Sequence, residues 1–410
     1  MERPVSEGVL HDLTVLELGS VLACPAVGLF LAELGARVVK LENTTTRGDV
    51  TRTWKLPGED PADDVSGYFS CVNWGKESLA LDLTRPEARE ILRRLAGQSD
   101  VALVNYKPGD AEKLGADYPT LRGVNPRLIY GHITGYGLDS PRAGYDAIIQ
   151  GESGFTHMNG EPDGPPVKLP VALMDLLAAH QLKEGILLAL YRRERTGRGE
   201  YLDVSLMQAG IASLANQATN WLVGGQIPGR LGSDHPSIVP YGTIFPTADG
   251  KEIVLAVGSD RQFERLCAVL GRSDLSSDPR FRTNRARVLN REEIKALLRP
   301  LIAGHARDPL LARLEAEFVP AGAVNDMAEV FATPQARRLL LEGSLDGRRP
   351  IAGVRSAVFR SHEGDPTRRP LPPPPRYGAH SRRILEELLG YAPAQIEGLV
   401  RDGVVHCSDG

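Results

Sequence analysis

Cysteine is scarce in this sequence: the four that occur, Cys24, Cys71, Cys267 and Cys407, lie far apart, with no CxxC pair and no metal-ligand spacing. That excludes a disulfide framework and a zinc motif, and suits free thiols in a reducing compartment. An excess of positive charge is also missing. The 48 Lys and Arg are outnumbered by 52 Asp and Glu, for a net charge of -4, so nucleic acid is not an expected partner. A small polyanion remains compatible, because a site needs only a few local cations. No uninterrupted apolar run approaches the ~18 residues of a membrane span. Met1 to Val9 lacks the charged start and apolar core of a signal peptide, so a cytoplasmic protein with no membrane partner is expected.

Several chemical signatures are absent as well. There is no GxxxxGK[ST] loop to cradle the phosphates of ATP. The first strand-to-helix turn, Gly19-Ser20-Val21-Leu22-Ala23-Cys24, lacks the GxGxxG spacing that brings backbone against a dinucleotide. Neither HExxH nor a GxSxG elbow occurs, and Gly151-Glu152-Ser153-Gly154 has the wrong spacing for the latter. The nine histidines are scattered, so no metal site is expected.

What is present is a chain that is 42% hydrophobic, enough to build a substantial core. Leu13 to Leu18, Ala36 to Leu41, Val101 to Asn105 and Arg127 to Ile133 read as strands, and Pro25 to Leu34 and Pro86 to Ala96 as helices. Such alternation implies βαβ units and a parallel sheet, an α/β fold. Pro170 to Met174 predicts another short strand, followed by a long helix from about Leu176 to Arg193. Tyr201 to Ser205 then reads as a strand and Leu206 to Leu222 as a helix. The Gly- and Pro-rich stretch 224–240 is expected to be a linker. It divides a large domain, 1–223, from a smaller α+β domain, 241–330, opened by a hairpin around Ala248-Asp249-Gly250. Residues 331–410 form a second linker, proline-rich between Arg368 and Pro375, and return by a helical tail, Ser381 to Val400, to the large domain.

The most informative segment is Pro170-Val171-Ala172-Leu173-Met174-Asp175-Leu176-Leu177, an apolar run meeting one Asp at the start of a long helix. An ordinary N-cap accounts for such an aspartate, its oxygens accepting from the free N–H groups of the first turn. The same geometry suits a nucleophile: a carboxylate at a strand's carboxyl end sits where open α/β folds bind ligands. A helix N-terminus would keep it anionic at neutral pH. Turn and cap roles equally account for Asp82 in Ser78–Thr84, and for Asp146 after Gly144 and Tyr145. His235 lies in the loop-like Gly232-Ser233-Asp234-His235-Pro236, where flexible surface is the ordinary outcome. Arg52 and Lys113 taken singly are solvated charges.

In order and spacing, these segments resemble the class III CoA-transferase family, which includes formyl-CoA transferase, carnitine CoA-transferase and α-methylacyl-CoA racemase. The resemblance runs through Leu34–Glu42, Gly48–Arg52, Leu81–Leu83, Asn105–Gly109, Gly135–Gly137, Gly144–Asp146, Met174-Asp175 and Thr196–Gly199, nearly the whole chain. It implies a Rossmann-like, doubly wound large domain built from both chain ends, an inserted smaller domain, and an interlocked, ring-like homodimer. It puts the family's nucleophile on Asp175. Coenzyme A contacts fall on Leu22, Ala23, Leu81, Asp82, Leu83, Thr84, Asn105, Tyr106, Lys107, Lys113, Ala143, Gly144, Tyr145 and Asp146. Two positions depart from the family: Asn43 replaces an arginine that meets the nucleotide, with Arg47 nearby, and Leu22 replaces a glutamine beside the nucleophile. Ser233–Tyr241 and the ending Asp402–Val405 resemble transferases that use succinyl-CoA with a second dicarboxylate of the glutarate type.

The implied chemistry passes CoA from an acyl-CoA to a carboxylic acid through an aspartyl anhydride and an aspartyl-CoA thioester. The CoA thioester is a substrate, and no tightly bound cofactor is expected. Oxyanion donors are expected near Leu22-Ala23 and the 232–237 loop, with His235 or Arg52 on the acceptor's remote carboxylate. An acyl-CoA racemase or an intramolecular CoA isomerase would share the fold, a lone Asp being joined by His157 or His235 as acid and base. A non-catalytic CoA-binding protein is a third reading.

Overall fold

The computed structural model describes residues 8–359 and 369–408; Arg368 and the first seven residues lie outside these. The chain forms two compact units. One comprises the chain up to Ser153, then Leu169–Ala215 and the stretch from Gln335 onward. The other comprises Gly154–Lys168 and Asn216–Pro334.

The first unit is built on a seven-stranded sheet. Its strands are β1 (Thr14–Glu17), β2 (Arg37–Asn43), β3 (Lys76–Leu81), β4 (Val101–Val104), β5 (Ile129–Thr134) and β6 (Tyr201–Ser205), completed by a short strand near the chain end, Val405–His406. Spatial order is Val405–His406, β3, β2, β1, β4, β5, β6. All neighbours are parallel except the Val405–His406 strand, which runs antiparallel to β3. Alternate residues serve opposite faces. Leu16, Val39, Leu79, Ala102 and Tyr130 join the core formed with Ile91, Leu92 and Leu95 of the helix Pro86–Ala96. Towards the other face, Gly131 leaves room for Leu182 of the helix Leu173–Thr196, since a Cβ there would lie 3.0 Å from that side chain. The helix Ala23–Glu33 is buried along its whole length, as a helix apolar all round must be.

Three expectations are corrected here. No strand spans Pro170 to Met174: the helix begins at Leu173, and the backbone just before it bonds to a side chain instead of a ladder. Gln150 Oε1 accepts from Leu169 N (2.8 Å), and its Nε2 donates to Leu169 O and Val171 O at 3.4 and 3.3 Å. The helix expected over Leu206 to Leu222 is two, Leu206–Ala212 and Ala215–Leu222, broken where Ala215 takes φ +47°. The helical tail is likewise two, Ser381–Glu387 and Pro393–Arg401, parted by Gly390 at φ +65° and restarted by a proline at its first turn.

In the second unit, β7 (Tyr241–Pro246), β8 (Glu252–Ala256) and β9 (Ala321–Ala323) form an antiparallel sheet. Helices Asp260–Val269, Arg291–Ala303 and Arg307–Ala316 pack on it through Phe263, Leu266, Ile294, Leu298, Leu310 and Leu314. Residues 224–240 carry neither helix nor strand, but part of this stretch is not a loose linker. Asp234 bonds Thr243 Oγ1 (2.5 Å) and Lys295 Nζ (2.7 Å), Arg291 donates to the carbonyls of His235 and Pro236, and Asn284 holds Ser237 and Val239. Residues 154–168 also belong to this unit, where Gly232 N donates to Gly160 O and Arg230 to His157 O.

Candidate active site

From β1 the chain winds outward to β2 on one side of the sheet, while β4 and β5 continue on the other. The carboxyl ends of β1 and β4 therefore flank a topological switch point, where open α/β sheets leave a crevice. Asn105, just past β4, spans it: its Nδ2 donates to Ser20 O (2.8 Å) and its Oδ1 accepts from Ser20 N (3.1 Å). Next to it Val21 is left-handed, φ +71°, a conformation costing about 1–2 kcal/mol for an L-residue. Its N–H points at both oxygens of Asp49, 3.3 and 3.2 Å away. Leu22 then caps the helix Ala23–Glu33, whose first-turn N–H groups have no partner within the helix.

The other coenzyme A candidates lie at the same edge of the sheet. Leu81 ends β3, and Asp82, Leu83 and Thr84 follow it. Asp82 Oδ1 accepts from Thr84 N and Oγ1 while Asp82 N donates to Val404 O, the turn role its sequence suggests. Asn105, Tyr106 and Lys107 follow β4. Tyr106 O accepts a bond from His132 Nε2 (2.8 Å), and Lys107 is exposed. Lys113 is 74% exposed and pairs with Asp110 at 2.8 Å. Ala143, Gly144, Tyr145 and Asp146 follow β5, folded back on the loop that leaves it. A Cβ at Gly135 would lie 2.5 Å from Gly144 Cα, so the two glycine motifs exist to let two backbones touch. Asn43 spends its side chain on Thr45 N and Oγ1, with Arg47 exposed close by.

Asp175 is not an N-cap. The helix starts at Leu173 with Ala172 in the cap position, and Asp175 stands in the first turn. The capping acceptor comes from elsewhere: Asp146 Oδ1 takes the Met174 N–H at 2.9 Å, while Asp146 Oδ2 accepts from Gln150 Nε2 at 2.7 Å. Asp175 is thereby left half-buried with a second carboxylate nearby. Its own carboxyl is pushed up to about 7, first by burial and then by the charge of Asp146. The helix terminus was expected to keep it anionic; desolvation and the neighbouring charge outweigh that. Tyr68, which sequence reasoning passed over, feels both carboxylates, its phenol pushed up to about 12 first by burial and then by the charge of Asp175. Its only signal was an aromatic residue in Gly67-Tyr68-Phe69. Among the described residues no group of three His, Cys, Asp or Glu is placed to hold a metal ion, and no helix is long and apolar enough to cross a membrane.

The family model for CoA-transferase family III matches residues 10–381. The chain belongs to this family. It is 40% identical over 395 residues to the succinate–glutarate CoA-transferase of Agrobacterium fabrum, an alignment covering 94% of this chain and 97% of that protein. It is 36% identical over 405 residues to the succinyl-CoA:glutarate CoA-transferase of Mus musculus, covering 97% and 90%. The crystal structure of a CAIB/BAIF family protein from Brucella suis superposes with a TM-score of 0.81 at 39% identity, covering 93% of this chain and all of that one. As a family III CoA-transferase the protein is an enzyme, and its substrates include CoA thioesters.

For this transferase one substrate assignment is withdrawn. Arg52 is 3% exposed and faces inward. Its Nε and Nη2 form a fork on Glu42 at 2.8 and 2.6 Å, Nη1 donates to Asp64 O and Nη2 also to Pro375 O, and Phe69 stacks 3.8 Å beneath it. Burial opposes the charge on Glu42, but Arg52 outweighs it and holds the carboxyl below its usual range. Four of the five N–H groups of Arg52 are spent inside the protein, and at this burial the side chain is shut off from a substrate. His235 lies in the second unit, half-buried, its Nδ1 accepting from Ser237 N at 3.1 Å and its ring edge-on to Tyr241. That bond selects the tautomer with the proton on Nε2. Beneath the crevice, and unforeseen from the sequence, lies a buried charge cluster: Glu17 bonds Lys40 (3.1 Å) and Lys76 (2.7 Å), and Lys40 also pairs with Asp49 at 3.0 Å.

Proposed function

We propose that this transferase moves CoA from succinyl-CoA to a second short dicarboxylic acid, glutarate first among them, with Asp175 as the covalent nucleophile. The observation that carries the reading is the division of labour between two aspartates. Asp146 takes the helix-capping bond, so Asp175 stands in the first turn with no structural duty and a carboxyl raised towards neutrality. The relatives named for succinate and glutarate support the choice of acids.

An Asp175 oxygen attacks the thioester carbonyl, the carbon–sulfur bond breaks, and CoA leaves as its thiolate, giving an aspartyl-succinyl anhydride. The thiolate then attacks the aspartyl carbonyl, succinate departs, and an aspartyl-CoA thioester remains. The acceptor carboxylate attacks that thioester and expels the thiolate again, which takes the acceptor's acyl group and restores Asp175. Each addition makes an oxyanion, for which the N–H groups of Leu22 and Ala23, at the start of the helix, are the proposed donors. The segments after β1, β3, β4 and β5 hold CoA at the sheet edge, and Asp146 shapes the charge around the nucleophile. The working form is an interlocked homodimer whose large Rossmann-like domain is built from both chain ends.

The test is incubation of the enzyme with succinyl-CoA and a panel of carboxylic acids, CoA esters being read by mass spectrometry, beside Asp175→Ala. A glutaryl-CoA signal that the variant lacks is the expected result. No new ester with any acid would overturn transfer between acids, and an active variant would overturn the role of Asp175.

A further inference from the structure

Val21 is β-branched and yet left-handed, and nothing in Ser20-Val21-Leu22 favours that conformation locally. Such a residue persists only where its surroundings over-determine it. Here they do, residue by residue. Gly19 O accepts from Lys40 Nζ (2.9 Å), Ser20 is held at both its N–H and its carbonyl by Asn105, and Val21 N–H sits between the two oxygens of Asp49. Asp49 cannot turn away. Its Oδ1 also accepts from Thr51 N and Oγ1 at 3.0 and 2.8 Å, its Oδ2 pairs with Lys40 Nζ at 3.0 Å, and its own N–H is fixed on Glu42 at 2.9 Å. Lys40 thus grips both ends of the clamp, Gly19 on one side and Asp49 on the other. Burial opposes the charge on Asp49, but Lys40 and Thr51 outweigh it and hold the carboxyl below its usual range.

We propose that Asp49 is a positioning residue for CoA transfer: its carboxylate locks Val21 in the left-handed turn, and that turn aims the Leu22 and Ala23 N–H groups at the oxyanion formed in each addition. The inference rests on the covalent Asp175 reading and adds a device to it. An oxyanion donor acts only if it is already in place when charge develops, and removing one typically lowers kcat by about 10²–10³-fold. Asn at position 49 keeps the shape but turns an amide N–H₂ towards the Val21 N–H or the Lys40 ammonium, donor against donor. Glycine at position 21 takes φ near +71° without a clamp, and proline there can neither take that φ nor donate the N–H.

The experiment compares wild type, Asp49→Asn, Asp49→Asn/Val21→Gly, Val21→Gly and Val21→Pro as full-length enzymes, recording kcat, KM for succinyl-CoA and thermal midpoint. Asp49→Asn is expected to lose about 10²-fold in kcat with KM changed far less, and added Val21→Gly to restore at least about tenfold of it. Unchanged kcat in Asp49→Asn overturns the proposal. So does a kcat loss that Val21→Gly does not relieve, because Asp49 then acts by some route other than this turn. If Asp49→Asn does not fold, the other pair decides, since Val21→Pro leaves the Lys40–Asp49 pair in place. Val21→Gly must exceed Val21→Pro in kcat by at least about tenfold, and equal rates overturn the clamp. Whether wild type transfers CoA, and whether Asp175→Ala stops it, is read separately, so failure of the underlying mechanism is distinguishable from failure of the clamp.

Discussion

Replacing Asp175 by Asn is expected to stabilise the protein, by an amount that grows with pH. The folded carboxyl titrates at about 7 against an ordinary value of 3.8. Below 3.8 both folded and unfolded chains carry the proton and the aspartate costs nothing. Between 3.8 and about 7 the unfolded chain releases its proton while the folded one keeps it, so stability falls as pH rises. Above about 7 the loss is complete. A shift of about 3 units corresponds to ~4 kcal/mol, and water reaching the half-buried carboxyl reduces this to ~2 kcal/mol. Asparagine carries no charge at any pH, so Asp175→Asn recovers the whole amount at about pH 8.5 and about a quarter of it at about pH 4.5. For a chain of this length ~2 kcal/mol is a rise of about 2 °C in Tm. The assay is differential scanning calorimetry of wild type and variant at both pH values, at one protein concentration. An equal gain at both would refute the account, because the carboxyl would then titrate as in the unfolded chain. A lower Tm for the variant at high pH would mean that the carboxylate makes stabilising bonds.

The same raised value predicts a transfer rate that falls with a slope of one as pH drops below about 7, the attacking carboxylate being taken up by a proton; in Asp146→Asn the inflection moves to lower pH, and an unmoved inflection would remove Asp146 as a cause. Arg52→Met strands the Glu42 carboxylate in the core and is expected to cost ~3–5 kcal/mol in urea titration. A normal stability with a raised KM for the acceptor would return Arg52 to the substrate. Gly144→Ala drives a Cβ to 2.4 Å from Gly135 Cα and is expected to cost ~1–3 kcal/mol and raise KM for succinyl-CoA, whereas wild-type behaviour in both would show that the two loops part freely.

The parallel sheet was legible because β1, β2, β4, β5 and β6 are short apolar runs alternating with helices, and each lies within a few residues of its expected place. β3 was not. Its sequence, Lys76-Glu77-Ser78-Leu79-Ala80-Leu81, opens on polar residues, yet Lys76 and Ser78 are buried because Glu17 and Glu42 receive them. The Val405–His406 strand has only two residues and is defined by pairing with β3. Arg52 shows the same limit at the site: a charge does not announce whether it faces water or a buried partner ten residues earlier. Asp175 was legible as a segment, but its surroundings depend on Gln150 and Asp146, which reach it from another helix. The clamp on Val21 was hidden because a left-handed valine leaves no mark in the sequence.

The sheet's last partner has a consequence for how the molecule forms. Val405 pairs with Leu81, so the whole second unit lies between them in the chain. Until that distant segment returns, β3 presents an unpaired edge, a template for any other strand that meets it. Closing so long a loop is slow more than costly in equilibrium terms. Refolding is therefore a contest between the chain's own final strand and the edge of a neighbouring molecule, and dilution favours the first.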